Sequence, residues 1–245
     1  MRGYVDLHCH YLPAVDDGVR SEDDGVALLR ALKAVGFDHV VATPHIRPAM
    51  FDNRSAPLRE AYASMRTRLD REEGLPETSL AAEHFFDDTV FELLMRGEGL
   101  PYRAGRSVLL EFANEQLPIN LHARLFDLRR KRLRPVIAHP ERYQPVMKKP
   151  KKLAEELRRA GGVLLLDVGA LDGKYGSRAR DTAEALVEEG VYYAACSDAH
   201  RAEDAEPVAR GIARLEKMLG VEDATVLLRE RPNEILEGRI FDEYD

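Results

Sequence analysis

Seven short apolar runs punctuate this chain, and each but the last is followed by an amphipathic stretch before the next begins. The runs are "YVDL" (4–7), "HVVAT" (39–43), "TSLAAE" (78–83), "SVLLE" (107–111), "RPVIA" (134–138), "VLLLDV" (163–168) and "VYYAAC" (191–196). They are nearly continuous and often β-branched, as strands covered on both faces should be. Ser21 with Asp24 makes a capping box, Val26, Leu29, Leu32 and Val35 make an apolar stripe, and Gly36 ends the first predicted helix. Residues 55–72, 87–96, 120–132, 150–160, 178–189 and 205–219 read as further helices. Strands alternating with helices predict parallel βα units. No glycine-rich phosphate loop follows the first strand, which favours a closed barrel over an open dinucleotide-binding sheet. With no repeat and no Gly/Ser-rich linker, residues 1–245 are expected to form one domain.

The residues at the C-terminal end of these runs carry the functional signal. The first strand leads into "DLHCHYLPAVDDG", with His8, His10 and Asp17, and the second into "TPH", with His45. The third and fourth end in Glu83 and Glu111, the fifth in His139 of "AHPER", and the seventh in Asp198 and His200 of "SDAH". In a parallel barrel the C-terminal ends of all strands share one mouth, where active sites are built. Side chains two apart on a strand share a face, so His8 with His10, and Asp198 with His200, are expected to point together. Nine imidazoles and carboxylates exceed what one four- to six-coordinate ion takes, and they suit two or three ions bridged by carboxylates. Mixed nitrogen and oxygen ligation fits Mn, Zn or Fe better than Ca or a thiolate site. His39 is read as preceding its strand and His122 as lying in a helix, both structural. His84, beside Glu83, should face the opposite side.

Bulk properties narrow the classes. Hydrophobic residues make up 44% of the 245, enough for a substantial core. A net charge of −7 argues against general nucleic-acid binding, and part of the excess acid is expected to meet bound cations. No apolar run is long enough to span a bilayer and no signal-peptide pattern opens the chain, so a cytoplasmic protein with no membrane insertion is expected. Cys9 and Cys196 read as buried reduced thiols.

The segments "DLHCHYLPAVDDG", "VATPH", "AAE", "LLEF", "IAHPERY" and "CSDAH" together resemble the polymerase-and-histidinol-phosphatase (PHP) superfamily. They are most similar to its bacterial protein-tyrosine phosphatases from capsule and exopolysaccharide operons, in order from the first strand to the closing "RPNEIL". The resemblance implies a distorted TIM-like (β/α)7 barrel and a manganese-dependent phosphatase with up to three ions. It implies a phosphotyrosine protein as substrate, a bacterial tyrosine kinase serving as partner, and it leaves an oligomer open. The family's ligands fall on the nine residues already named, and its phosphate-contacting arginine falls on Arg142. Two departures concern substrate contacts. Phe85 stands where the family often has arginine, and "RAEDAEP" stands where "RPP" is common. Arg47 and Arg201 are the arginines at hand to substitute.

The expected chemistry is in-line attack on phosphorus by a metal-activated hydroxide, with Arg142 and the cations stabilising the oxygens. Asp198 or His200 would assist a leaving group that, as a phenolate, needs little acid help. A cysteine phosphatase would need arginine six positions after its nucleophile, and Val15 and Ala202 stand there instead. A small-molecule enzyme such as a histidinol-phosphate phosphatase shares the metal centre and differs at the rim. A metal-dependent amidohydrolase would resemble a barrel with a carbamylated lysine where Glu111 stands, and a non-catalytic scaffold module would have no reason to keep every ligand. Two basic runs complete the reading. Arg129, Arg130, Lys131, Arg132 and Arg134 should lie at the barrel's far end, and Lys148, Lys149, Lys151 and Lys152 near the mouth.

Overall fold

A computed structural model of the chain describes residues 2–240. Its strands are β1 (Tyr4–Cys9), β2 (Phe37–Ala42), β3 (His45–Ile46), β4 (Glu77–Leu80), β5 (Glu83–Phe85), β6 (Ser107–Glu111), β7 (Arg134–Ala138), β8 (Val163–Asp167) and β9 (Tyr192–Cys196). All pairings between them are parallel, in the orders β1-β2-β4 and β3-β5-β6-β7-β8-β9. The two sheets are parts of one wall, because the second and third expected strands are each broken in two. Pro44 follows β2 and cannot donate to a ladder, and the wall steps there. Across the step the Ala81 N–H donates to Ala42 O at 2.8 Å and the Glu83 N–H to Pro44 O at 3.2 Å. The far edges also meet. Cys9 bridges Ala199 in parallel, the His10 N–H donates to Ala199 O at 2.9 Å, and the Asp198 N–H donates to His8 O at 3.0 Å. The result is the distorted TIM-like barrel of seven staves, two of them interrupted.

The helices are α1 (Glu22–Val35), α2 (Ser55–Leu69), α3 (Asp88–Met95), α4 (Leu121–Arg130), α5 (Gln144–Lys148), α6 (Pro150–Arg159), α7 (Ser177–Glu188), α8 (Ala205–Leu219), α9 (Val221–Thr225) and α10 (Arg231–Glu237). The α1 start follows its sequence: Ser21 Oγ accepts the Asp24 N–H at 3.2 Å, and the Asp24 carboxylate accepts the Ser21 N–H at 3.1 Å. Gly36 closes it with φ at 126°, a conformation that strains any residue with a Cβ. Two buried layers result. Leu7, Val41, Leu109, Val136, Leu165 and Ala194 fill the barrel interior, with Ile235 and Leu236 of α10 packed against them. The opposite strand faces, such as Val40, Leu110, Ile137 and Leu164, pack under the helices. Truncating one interior leucine to alanine costs about 2–5 kcal/mol, so this wall is a rigid base for the residues above it. Among the described residues no helix is long and apolar enough to cross a membrane.

Alternation along these strands sets which side chains reach the mouth. Leu109 faces inward, so Glu111 does too; Leu165 faces inward, so Asp167 does too. Pairing of Glu83 with Leu109 puts Glu83 inward and His84 outward. On β1 the register shifts between Asp6 and Cys9, which moves Cys9 to the outer layer while Leu7 is inside, and lets His8 and His10 share the inner face.

Candidate metal centre

All nine sequence-derived candidates gather at the C-terminal end of the barrel, but several get there by routes other than strand alternation. His45 and Glu83 do not end the second and third expected strands; they begin the short continuations β3 and β5. His139, Asp198 and His200 lie beyond β7 and β9, and His139 and Asp198 turn inward through positive φ values of 35° and 44°. Such backbone is costly for residues other than glycine and persists where surroundings enforce it, commonly at functional sites.

Glu83 stands at the centre. Its Oε2 lies 3.1 Å from His8 Nε2, 3.6 Å from His10 Nε2 and 3.0 Å from His45 Nδ1, and its Oε1 lies 3.1 Å from His139 Nε2. Asp198 Oδ1 is 3.2 Å from His8 Nε2 and 3.4 Å from His10 Nε2. Half-exposed Asp17 reaches His45 Nε2 at 3.4 Å and His200 Nε2 at 3.5 Å. Glu111 Oε2 is 3.8 Å from His45 Nδ1. These contacts resolve into four overlapping groups: His10, Asp17, His45 and His200; His8, His10 and Asp198; His8, Glu83 and His139; and His45, Glu83 and Glu111.

The donor set fits divalent cations. His8 Nε2 and His10 Nε2 face each other at 3.1 Å. Buried Asp198 Oδ1, Glu111 Oε2 and His45 Nδ1 have no hydrogen-bond partner, although buried polar atoms are rarely left so. Several lone pairs aimed at common points are what a bridged cation site offers.

The electrostatics show how the cluster is balanced. Burial is the largest single influence and opposes ionisation of Glu83 and Asp198. The surrounding cations together outweigh it, His8 foremost with His45 at one and His10 at the other, and both carboxyls sit well below their usual range. Burial and the neighbouring Glu83 push Glu111 up to about 7. Burial also opposes charge on His8 and His10, but Glu83 and Asp198 push the first up to about 8, and Asp16 pushes the second up to about 9. His139 goes the other way, to about 4, through burial and the nearby Arg142 cation.

Around the cluster are groups that sequence reasoning missed. Buried Asp16, not Asp17, fixes His10: its Oδ2 accepts from His10 Nδ1 at 2.8 Å and from the His45 N–H at 3.1 Å, and its Oδ1 accepts the Gly18 N–H at 3.0 Å. The adjacent aspartates of "DDG" gave no sign of which faces in. Asp6 accepts the Ser197 N–H at 2.9 Å, tying β1 to β9. Glu141 accepts the Asp167 N–H at 3.0 Å and the Tyr192 hydroxyl at 2.8 Å; burial and Asp167 push it up to about 8. Asp167 at the end of β8 was visible from alternation, since it ends an apolar run as Glu111 does.

Of the candidate substrate contacts, the Arg142 guanidinium donates to Asp198 Oδ2 at 2.5 Å and lies 4.4 Å above the Tyr175 ring. Arg47 lies 4.0 Å above the ring of Phe85 and is close enough to Glu111 to favour its ionised form. Arg201 is exposed beside His200. The other histidines lie outside the cluster. His39 is inside β2 rather than ahead of it, bonded to Ser79 Oγ at 2.8 Å, and His122 lies in the first turn of α4. His84 contacts Leu109 O through Nδ1 at 3.0 Å and accepts the Leu100 N–H at Nε2 at 3.1 Å; burial pushes it down to about 4. Arg106, Arg129, Arg130, Arg132 and Arg134 line a cleft below the barrel, opposite the cluster. Lys151 pairs with Glu189 at 2.5 Å, and Lys148 lines a shallow cleft with Gln144 and Arg178.

A family model described as capsular polysaccharide synthesis, CpsB/CapC, matches residues 4–237. The chain belongs to the CpsB/CapC family. It is 31% identical over 197 residues to the tyrosine-protein phosphatase YwqE of Bacillus subtilis, covering 80% of this chain and 77% of that protein. It is 23% identical over 251 residues to the tyrosine-protein phosphatase CpsB of Streptococcus pneumoniae, covering 97% and 100%. The barrel superposes on a crystal structure from a study of YwqE and CpsB, described there as metal-dependent tyrosine phosphatases. That match has a TM-score of 0.89 at 29% identity over 98% of this chain and 97% of that one. A phosphotriesterase from Mycobacterium tuberculosis shares the fold alone, with a TM-score of 0.54 at 16% identity over 96% and 95% of the chains.

Proposed function

We propose that this CpsB/CapC-family chain is a metal-dependent protein-tyrosine phosphatase, a single catalytic domain hydrolysing phosphotyrosine on a protein substrate. The observation that carries the reading is Glu83, fully buried and shared among four imidazoles, with unpartnered Asp198 and Glu111 oxygens beside it. His8, His10, Asp17, His45, Glu83, Glu111, His139, Asp198 and His200 would hold two or three ions, manganese by preference, with zinc or iron as alternatives. When bound, such cations supply Lewis acidity at phosphoryl oxygens and acidify water.

The chain's own groups do the rest. Arg142 offers a planar guanidinium that matches two phosphoryl oxygens, and its bond to Asp198 fixes where that fork sits. Arg47 brings a second positive charge near Glu111. Asp16 fixes a proton on His10 Nδ1, so Nε2 presents its lone pair to the cluster. Of the two rim groups, His200 is the more exposed and the one placed to assist the departing oxygen, a modest demand for a phenolate, while ionised Asp198 holds Arg142. The substrate in this reading is a bacterial tyrosine kinase in polysaccharide synthesis, and the setting is the cytoplasm, in keeping with two free, buried cysteines.

The test is turnover by metal-stripped protein reloaded with Mn, Zn or Fe, on phosphotyrosine peptides beside histidinol phosphate and nucleotides. His139→Ala and Glu111→Ala should each abolish manganese-dependent turnover. Undiminished activity in either, or preference for a small phosphoester, refutes the proposal.

A further inference from the structure

Two half-buried aromatic rings stand at the mouth, and each carries an arginine on its face. On the β5 side the Arg47 guanidinium lies 4.0 Å from the Phe85 ring centroid. On the β8 side the Arg142 guanidinium lies 4.4 Å from the Tyr175 centroid. We infer that Phe85 and Tyr175 are positioning residues: their ring faces hold Arg47 and Arg142 in place beside the cluster, ready for a phosphoryl anion. The inference rests on the phosphatase reading for the identity of that anion.

The geometry on the β8 side is the fuller. Arg142 is sandwiched, with Asp198 Oδ2 bonded at 2.5 Å and Asp167 Oδ2 at 3.9 Å, while the Tyr175 ring covers another side. Asp167 Oδ2 is buried and has no hydrogen-bond partner. The same loop braces the neighbouring rim. Lys174 donates to Asp198 O at 3.4 Å and pairs with Asp204 at 3.3 Å, and Asp204 accepts the His200 N–H at 2.8 Å. β8 therefore contributes to the mouth through Asp167, Lys174 and Tyr175, although it supplies none of the nine cluster residues. On the β5 side, Arg47 is fixed at its backbone. Its N–H donates to Phe51 O at 3.0 Å and it accepts the Phe51 N–H at 2.8 Å, while the Phe51 ring stacks on His45 at 5.3 Å.

The physical case is pre-organisation. A free arginine has several rotatable bonds to fix before its fork can meet two oxygens, and a guanidinium resting on an aromatic face has already given up much of that freedom. A ring face attracts the cation without neutralising it, so beyond the Asp198 pairing of Arg142 the rings add hold without drawing off further positive charge. Phe85 in this light is a support for a neighbouring cation.

The test is a pair of double-mutant cycles, Tyr175→Leu with Arg142→Ala and Phe85→Leu with Arg47→Ala, on manganese-loaded protein. Two readouts are taken: kcat and KM for p-nitrophenyl phosphate and a phosphotyrosine peptide, and the rise in melting temperature produced by inorganic phosphate. Each leucine variant should lose about tenfold in kcat/KM and most of its phosphate-induced shift. Tyr175→Phe and Phe85→Tyr, which keep the ring, should stay within about threefold of the parent. In the arginine-deleted backgrounds the leucine substitutions should cost almost nothing more. Losses that multiply independently in both backgrounds overturn the inference, as does failure of the ring-keeping variants at normal melting temperature. Should the parent turn over no phosphoester, the phosphatase reading fails by itself, and the phosphate-induced shift still decides whether the rings act through the arginines.

Discussion

Asp16→Asn changes one atom and leaves the side chain's volume alone, which makes it a sharp probe of how the cluster is aimed. Asp16 accepts three N–H groups, from His10 Nδ1, the His45 backbone and the Gly18 backbone. Asparagine has one acceptor oxygen and an NH2 that can only donate. With that oxygen toward His10 and His45, the NH2 faces the Gly18 N–H; turned round, it faces two donors. The better orientation still strands one buried donor, at about 1–3 kcal/mol, and removes the charge that favours the Nδ1–H tautomer of His10. At about 2 kcal/mol the metal-stripped protein should melt roughly 4–8 °C lower. Metal affinity should fall about 10- to 100-fold, the usual cost of losing a residue that orients a ligand. Calorimetric titration of stripped protein with Mn, beside a melting curve, measures both. Asp17→Asn is the contrast: its side chain is 53% exposed, so metal affinity should fall with little change in the stripped protein's melting temperature. Asp16→Asn that binds Mn within about twofold of the parent would show that His10 is aimed by something else.

Loading the cluster should displace protons, because His8 and His10 titrate near 8 and 9 in the metal-free protein and must be neutral to bind cations. Apparent Mn affinity should therefore climb from pH 6 to 9, with proton release visible as a dependence of binding heat on buffer; a flat profile rejects this. The same raised values stabilise the metal-free fold below about pH 6.5, and that stabilisation should be lost as pH climbs through 8 to 9. His84 has the opposite sign. Its folded value near 4 lies below the ordinary 6.5, so the unfolded chain takes up the proton first and stability falls as pH drops from 6.5 toward 4. That is roughly 1.4 kcal/mol per pH unit at most, and His84→Gln should flatten this part of the melting-temperature profile. Cys9 and Cys196 are buried and their thiols are pushed well up by burial, so iodoacetamide should leave turnover intact in the folded enzyme.

The barrel was legible because both faces of each stave are covered, which makes strands read as unbroken apolar runs and leaves polar residues only at their ends. The cluster was legible for the same reason. The interruptions were less so: "HVVATPH" and "TSLAAEHF" each read as one strand, and Pro44 was the only hint that either is two pieces. Side-chain period brought His8 and His10 together as expected, but the register shift on β1 that puts Leu7 inside and Cys9 outside is announced by no residue type. Asp198 and His200 were expected to point together along a strand, but both lie beyond β9 and Asp198 is itself left-handed. Asp167 closes "VLLLD" as Glu111 closes "SVLLE", so the same alternation points both toward the mouth. Asp16, Lys174 and Tyr175 could not have been placed, because their roles depend on loop paths with no period to count.

What holds so many like charges in one mouth before any cation arrives? Glu83 and Asp198 are ionised and fully buried, a combination that would be prohibitive if unpaired. The raised values of His8 and His10 supply the answer: in the metal-free chain these imidazoles are the cations, each within 3.6 Å of Glu83 or Asp198 oxygens. Metal loading then exchanges protons for metal ions in a cluster that is already charge-balanced. The barrel beneath is closed by leucine and valine contacts and by backbone bonds between β1 and the segment after β9. Chelation at neutral pH should therefore abolish catalysis while leaving the fold in place, unlike the unfolding seen when zinc is stripped from a small domain lacking a core of its own.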